Sequence, residues 1–186
     1  AGMAKYGSVP AGVVTGNTET LARLGQASAS CQVAAGLIAR RDKQRAEGQP
    51  WHVWGRTYMQ AMLWYHRAGK NGSELANYQF AFELFRGPLN KLGRLVTATA
   101  HRYALRSAEA GYGPAYVLLG TMHFYGFGGP ADLNLALEMF RKAAEAGDPT
   151  GYQLQGNILK LRPETSAEGD RLIALAARRG IKPAGK

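Results

Sequence analysis

The 186-residue chain has little cysteine and no long apolar run. A single cysteine, Cys31, excludes an intrachain disulfide and any metal site built from several cysteines. No stretch of about 18 apolar residues is present, so the sequence predicts no membrane-spanning helix. Ala1 and Gly2 precede Met3, which we interpret as the natural start, and no signal-peptide pattern follows. We therefore expect a cytoplasmic protein, with the periplasm as the alternative if a signal peptide has been removed.

Motifs of the common enzyme classes are also missing. The sequence contains no nucleophile elbow, no strand-preceded phosphate loop and no zinc-protease helix motif. The four histidines, His52, His66, His101 and His123, do not stand at metal-ligand spacing. Cys31 lies in a run of Ala, Ser and Gly, which is typical of a small buried residue. We expect no catalytic residue, no metal and no cofactor, and His123 and Cys31 remain the two leads for an enzyme.

Composition and charge describe a globular, basic chain. Apolar residues make up 46% and charged residues 19%, which excludes a disordered chain. The length fits one domain or one short repeat array. The net charge of +10 is uneven, with +6 in residues 1–73 and +2 in each of 74–131 and 132–186. Such a charge favours anionic partners without identifying one.

The chain repeats itself with a period of about 36 residues. Residues 107–120 read SAEAGYGPAYVLLG and residues 143–156 read AAEAGDPTGYQLQG, with seven identities in 14 positions. One such unit is too small to bury its own apolar face, so neighbouring units must stack. Internal repetition of this kind predicts a solenoid.

The spacing within each unit is helical. Ala136, Met139, Phe140 and Ala143 stand at i, i+3, i+4 and i+7, and Asp132 precedes them as an N-cap. Many of the 24 glycines fall at predicted helix ends and crossings. The patterns predict eight helices, at approximately 20–46, 51–69, 73–86, 96–110, 114–125, 132–146, 150–161 and 167–179.

The repeat array defines the expected domain organisation. Residues 1–18 lack periodicity, and we interpret them as a flexible N-terminal arm. Residues 19–180 form a single predicted solenoid domain, and residues 181–186 form a loose basic tail.

At these positions the chain resembles the Sel-one-like repeat family, which is related to tetratricopeptide repeats. The resemblance covers about residues 55–180 and is strongest in 107–156. It is carried by Ala115, Leu119-Gly120, the turn Gly126 to Asp132, Ala136, Met139-Phe140 and the segment 143–147. Departures from the family pattern are Ala81 at a Gly position, and His123, Leu84 and Leu159 at a Tyr position.

The resemblance implies an all-α fold, a right-handed α/α superhelix of about four helix pairs, as in tetratricopeptide solenoids. It also implies a non-catalytic scaffold or adaptor of bacterial type that holds a partner protein or peptide in its concave groove. A secretion-system accessory or an effector-immunity protein belongs to this class. Since one fold serves many functions, these implications are analogies.

Candidate partner-binding residues follow from the expected position of the first helix of each pair on the concave face. The candidates are residues there that the core stripe does not use, namely Tyr78, Glu83, Arg86, Tyr116, Phe124, Tyr125, Tyr152 and Asn157. Tyrosines suit recognition because they supply a large contact area at low entropic cost. The alternative is that several of these aromatic residues belong to the core.

A basic patch is the second candidate surface. No acidic residue occurs between Leu84 and Ala108, where the predicted patch residues are Lys91, Arg94, Arg102 and Arg106. The patch suits an acidic protein, and binding of nucleic acid or another anionic polymer is the alternative. A further cluster at the end of the first helix, Arg40, Arg41, Lys43 and Arg45, is interpreted as complementing the helix dipole.

Overall fold

The computed structural model describes Ala22 and residues 25–181. Within these residues the regular structure consists of α-helices and two short 3-10 helices, Pro88–Leu92 and Pro163–Thr165, with no strand. The eight α-helices are α1 (Ala27–Ala46), α2 (Trp51–Lys70), α3 (Glu74–Arg86), α4 (Arg94–Glu109), α5 (Gly113–Tyr125), α6 (Leu133–Glu145), α7 (Thr150–Leu159) and α8 (Ser166–Arg178). The predicted arm 1–18 and tail residues 182–186 lie outside the described residues. None of the described helices is long and apolar enough to span a membrane.

The helices pack as four consecutive pairs, α1 with α2, α3 with α4, α5 with α6 and α7 with α8. Each pair also packs against the next through the second helix of one and the first helix of the other. The first helices α1, α3 and α5 contact one another directly as well, so they lie on the inner side of the stack. The predicted α/α superhelix of about four pairs is confirmed.

The structure departs from the predicted helix pattern at two places by more than two residues. The first helix was expected from residue 20, but the described chain enters α1 only at Ala27, because Gly25 has a φ of +86° and Gln26 is extended. The segment between α3 and α4 contains the 3-10 helix Pro88–Leu92, which the sequence did not predict. Proline fixes φ near the helical value and needs no hydrogen bond at a helix start, so Pro88 suits that position.

Side-chain caps start the helices that the repeat predicts. The Asp132 carboxylate accepts a hydrogen bond from the Leu135 amide at 2.9 Å, as the predicted N-cap requires. Ser73 does the same for α3, its hydroxyl accepting from the Ala76 amide at 3.1 Å. At the other end of α5, Gly126 adopts the left-handed conformation with φ of +66° and closes the turn against Ala131.

Small residues let the helices approach closely. Ala61, Ala100 and Ala136 occupy equivalent positions in three repeats, and all are fully buried. Gly120 lies against the ring of Phe140, and a Cβ there would stand 2.6 Å from the ring. The preceding repeat has Ala81 in place of Gly120 and Ala104 in place of Phe140. The larger residue Ala81 is thus accompanied by the smaller residue Ala104. That pairing explains one departure from the family pattern.

Candidate interaction surfaces

The C-terminal ends of the first helices carry exposed side chains. Arg86 ends α3, Tyr125 ends α5 and Leu161 follows α7, and the three positions are equivalent in the repeat. Tyr125 is 71% exposed and Leu161 is 73% exposed. Phe124 is exposed as well, with its ring centroid 5.0 Å from that of Tyr125 in an edge-to-face arrangement. We name Arg86, Tyr125 and Leu161 the first-helix row.

Two of the predicted tyrosines are largely core residues. Tyr78 is half-buried, with its ring 5.2 Å from that of Tyr112 and 5.8 Å from that of Phe82. Burial, followed by the nearby charge of Asp148, raises the pKa of Tyr78. Tyr116 is also half-buried and packs against the central core. Most of the surface of Tyr78 and Tyr116 therefore packs within the protein, which agrees with the alternative that these aromatic residues belong to the core.

The last two candidates lie on α7. The Tyr152 hydroxyl accepts a hydrogen bond from Arg179 at 3.3 Å, and the guanidinium carbon lies 4.9 Å from the ring centroid. This contact ties α7 to the residue that follows α8. Asn157 is exposed. Asn157 is therefore exposed to a binding partner, whereas Tyr152 already contacts Arg179 within the chain.

Glu83 is engaged in a buried ion pair. The Arg41 guanidinium donates to both carboxylate oxygens, at 3.0 Å from Nη1 and 3.4 Å from Nη2. The Arg41 side chain is only 7% exposed, its Nε lies 2.8 Å from Asp42, and its Cζ lies 5.2 Å from the Tyr58 ring centroid. Glu83 thus holds α3 against α1. Arg41, which the sequence placed in an exposed basic cluster, belongs to this buried network.

The basic patch is exposed and available. Lys91, Arg94, Arg102 and Arg106 are all exposed, and none forms an ion pair within 4.0 Å in the part of the chain described. Later in the array the situation differs. On α6, for example, Arg141 pairs with Glu145 at 2.7 Å, and Lys142 pairs with Glu138 at 2.8 Å. The middle of the chain therefore presents cations whose charge is not neutralised by neighbours.

A groove lies between α2, α3 and the 3-10 helix Pro88–Leu92. It has a volume of about 480 Å³. We name it the apolar groove, and its lining residues are Met59, Gln60, Met62, Leu63, His66, Phe80, Leu84 and Leu89. Met59 and Leu63 are each 51% exposed, which is unusual for two large apolar side chains one turn apart.

The apolar groove continues toward the start of α2. A second concavity shares Met59 and Gln60 with it and reaches Trp51, which is half exposed. Gly55 makes room for the Trp51 ring, since a Cβ at that position would stand 2.9 Å from a ring atom. Trp54 contacts the same ring edge-to-face at 4.3 Å between centroids. One continuous exposed stripe therefore follows α2 along most of its length.

His66 closes the other end of the apolar groove. Its Nδ1 lies 2.6 Å from the hydroxyl of Tyr103, with which it shares a hydrogen bond. Burial lowers the pKa of His66, and the nearby charges of Lys70, Arg102 and Arg106 lower it further. On α4, the guanidinium carbons of Arg102 and Arg106 lie 5.8 Å and 5.7 Å from the ring centroid of Tyr103, the hydrogen-bond partner of His66.

The next repeat carries a second groove, of about 540 Å³. It lies between α4 and the turn from Gly126 to Asp132, and we name it the histidine groove after His101 and His123. The two rings meet edge-to-face with centroids 5.4 Å apart. Burial, followed by the neighbouring His123, lowers the pKa of His101. His123 is half-buried.

The two grooves occupy equivalent places in successive repeats. A shift of 39 residues maps six lining positions of the apolar groove onto lining positions of the histidine groove. Met59, Met62, Leu63, His66, Leu84 and Leu89 become Ala98, His101, Arg102, Leu105, His123 and Gly128. Met59 and Leu63 carried no predicted role, although their position outside the core stripe of α2 was a usable signal.

Cys31 occupies a structural position. It is 2% exposed, and its Sγ lies 3.5 Å from the Ser73 hydroxyl. Burial raises the pKa of the Cys31 thiol, which opposes formation of the nucleophilic thiolate. Among the described residues, no group of three or more ligating side chains is placed to hold a metal ion.

Comparison with known proteins agrees with the repeat. The Sel1 repeat family matches residues 58–73 and 113–148. A Sel1 repeat protein from Oxalobacter formigenes superposes with a TM-score of 0.61 and 20% identity, over 91% of this chain and 62% of that one. A protective antigen of uropathogenic Escherichia coli strains that displays an SLR fold superposes with a TM-score of 0.62 and 21% identity, over 85% of this chain.

The present chain spans 62% and 32% of the lengths of those two proteins. No curated protein matches it. The packing of consecutive helix pairs defines an α/α repeat solenoid. Two segments of the chain match the Sel1 repeat, and the whole solenoid is similar in fold to Sel1-like repeat proteins.

Proposed function

We propose that the protein is a non-catalytic scaffold that holds a partner protein or peptide against its first helices. Sel1-like repeats generally mediate interactions between proteins, and the class supports this role. The observation that carries the proposal is the first-helix row, in which Arg86, Tyr125 and Leu161 are exposed at equivalent positions of three repeats. Because helix packing does not bury these side chains, they are available as contacts.

The properties of the row suit recognition. Tyrosine and arginine are enriched among the residues that contribute most to protein interfaces. Binding to a preformed helical surface costs less conformational entropy than binding that requires a loop to become ordered. More of the contact energy is therefore available as affinity. Phe124 enlarges the aromatic area beside Tyr125, and Asn157 adds a polar contact on α7.

The proposed biological setting is a bacterial adaptor in the cytoplasm, such as a secretion-system accessory or an effector-immunity protein. The supporting argument is the class of the fold, with one domain proposed over residues 19–180. Gene neighbourhood separates the two subclasses, because a secretion cluster accompanies the first and an adjacent toxin gene accompanies the second.

Site-specific photocrosslinking in the native host tests the scaffold. A photoreactive residue replaces Tyr125, and a matched control replaces Arg141, which is exposed on the second helix α6. We expect a discrete protein adduct from position 125 and none from position 141, followed by reconstitution with the purified partner. Equal adducts from both positions, or none from position 125, would contradict the proposal.

Binding of nucleic acid to the basic patch is the second candidate function. The observation that favours it is the exposure of Arg102 and Arg106 without an ion pair among the described residues. Release of counterions from nucleic acid makes such binding fall steeply as salt rises. A salt titration with DNA and RNA tests it, and absent or salt-insensitive binding excludes it.

A further inference from the structure

We propose that the apolar groove binds one amphipathic α-helix of an acidic partner protein. The lining of the groove includes none of Arg86, Tyr125 and Leu161, so this interaction can be tested separately from the scaffold contact at the first-helix row. Its failure would leave the proposed scaffold function intact, and the converse also holds.

The shape of the groove fits a helix. Its lining residues on α2 recur about one turn apart, from His52 through Met59 and Leu63 to His66. That span of 14 residues measures about 21 Å along a helix, roughly four turns. A helix laid into a groove typically inserts side chains spaced by i, i+3 or i+4, and i+7, which matches a stripe of this length.

The surface of the groove needs an apolar occupant. Met59 and Leu63 are half exposed, and Phe80 and Leu84 form the floor between them and the core. Contiguous apolar exposure of this kind marks interaction sites on soluble proteins. Met59, which is half exposed, can adapt its flexible side chain to the side chains that enter.

The charge around the groove selects an acidic occupant. At one end of the groove, Arg102 and Arg106 lie over the ring of Tyr103, which is hydrogen-bonded to His66. At the other end, Arg56 lines the concavity that continues from the groove. Between Gly48 and Ala108 the chain has only two carboxylates, of which Glu83 is paired with Arg41. Glutamates or aspartates beside the apolar face of a partner helix would therefore meet cations on both sides. A second copy of this chain, with its net charge of +10, lacks that complementarity.

A synthetic peptide of about 14–18 residues, with one leucine face flanked by glutamates, provides the probe. The peptide is titrated into the full chain, and tryptophan fluorescence reports binding because Trp51, Trp54 and Trp64 all lie on α2. Two matched peptides complete the set. One has lysine in place of each glutamate, and the other has the same composition with the leucine face scrambled.

The variant Leu63→Glu places a charge in the middle of the groove, and Leu95→Glu makes the same change at an exposed leucine outside the groove lining. We expect Leu63→Glu to weaken binding of the acidic peptide at least about tenfold, and Leu95→Glu to change its affinity less than about twofold. Arg102→Ala with Arg106→Ala should weaken it severalfold and reduce its salt dependence. Circular dichroism verifies that each variant is folded.

Several outcomes overturn the proposal. If the scrambled acidic peptide, a DNA oligonucleotide or phosphatidylglycerol vesicles bind as well as the amphipathic peptide and Leu63→Glu changes nothing, the patch is a general polyanion site. If sedimentation shows self-association that Leu63→Glu removes, a second copy is the occupant. Absence of peptide binding to the wild-type chain rejects the acidic helix directly.

Discussion

The apolar groove and the histidine groove are built on the same backbone frame one repeat apart, yet they present opposite chemistry. In the first, Leu84 forms part of the floor and Leu89 covers the turn side. In the second, His123 and Gly128 take these positions, and Arg102 replaces the apolar Leu63. Buried alanines are retained at two helix crossings, as Ala61 and Ala100 and as Ala76 and Ala115. The packing positions thus maintain the solenoid, and the surface positions determine what each repeat can bind.

The comparison extends to the positions just inside the grooves. Glu83 of the first repeat forms the buried ion pair with Arg41, and its equivalent 39 residues later is Met122, which is fully buried among apolar residues. At this equivalent position, one repeat therefore buries a paired charge and the next repeat buries an apolar side chain. This difference and the two grooves define three experiments, in order of decreasing expected effect.

Replacing Glu83 with Met copies the later repeat into the earlier one and should have the largest effect. The variant removes the buried carboxylate partner of Arg41 and leaves only the exposed Asp42 near its guanidinium, so we expect the free energy of unfolding to fall by about 3–5 kcal/mol. Urea denaturation followed by circular dichroism measures the loss. The double variant Arg41→Met with Glu83→Met removes both charges and should recover most of it. A single variant as stable as wild type would show that the ion pair does not hold α1 to α3.

Exchanging the groove floors should have an intermediate effect. Leu84→His buries a polar ring and loses apolar contact, so we expect a loss of about 2–4 kcal/mol in unfolding free energy. The reciprocal change, His123→Leu, removes a half-buried polar side chain and should alter stability by less than about 1 kcal/mol. Thermal and urea unfolding measure both variants. Equal losses from the two exchanges would mean that the grooves are not distinguished by their floors.

The pH dependence of stability should give the smallest effect. Burial lowers the pKa of both His66 and His101 in the folded state, so the unfolded chain binds protons first as pH falls through about 6.5. Stability contributed by the neutral imidazoles is therefore present at higher pH and is lost as pH falls below that value. His66→Gln and His101→Gln should each flatten the decrease between about pH 7.5 and 5.5, measured by urea unfolding. A wild-type chain that gains stability on acidification would contradict this sign.

The fold was predictable from the sequence because the residues that pack between helices recur at a regular spacing. Ala136, Phe140 and their equivalents must recur wherever helices cross, and Asp132 must cap the helix that follows it. The start of α1 was wrong because the left-handed turn at Gly25 interrupts a run whose composition is otherwise helical. Local periodicity does not detect such an interruption.

The candidate surfaces were less predictable, because they depend on contacts between distant residues. No sequence pattern joins Arg41 to Glu83 across 42 positions, so Glu83 was predicted as a surface residue. The helical spacing of Tyr78 fits a core residue as well as a surface residue. Only its contacts with the rings of Tyr112 and Phe82 in the folded chain show that it is largely a core residue. The two grooves are lined by residues from separate helices, so they are recognised only in the folded structure.

The ion pair between α1 and α3 also has a consequence for how cooperatively the array unfolds. In repeat proteins each unit contacts mainly its neighbours, so terminal units can unfold before the centre. Arg41 and Glu83 join the first helices of two different pairs, and Tyr58 adds a hydrogen bond from α2 to the Glu83 carbonyl at 3.1 Å. These links connect α1 and α2 to the centre of the array. We therefore expect the first two pairs to unfold as one cooperative unit, so that the helix carrying the apolar groove exchanges its amide hydrogens no faster than the centre of the array.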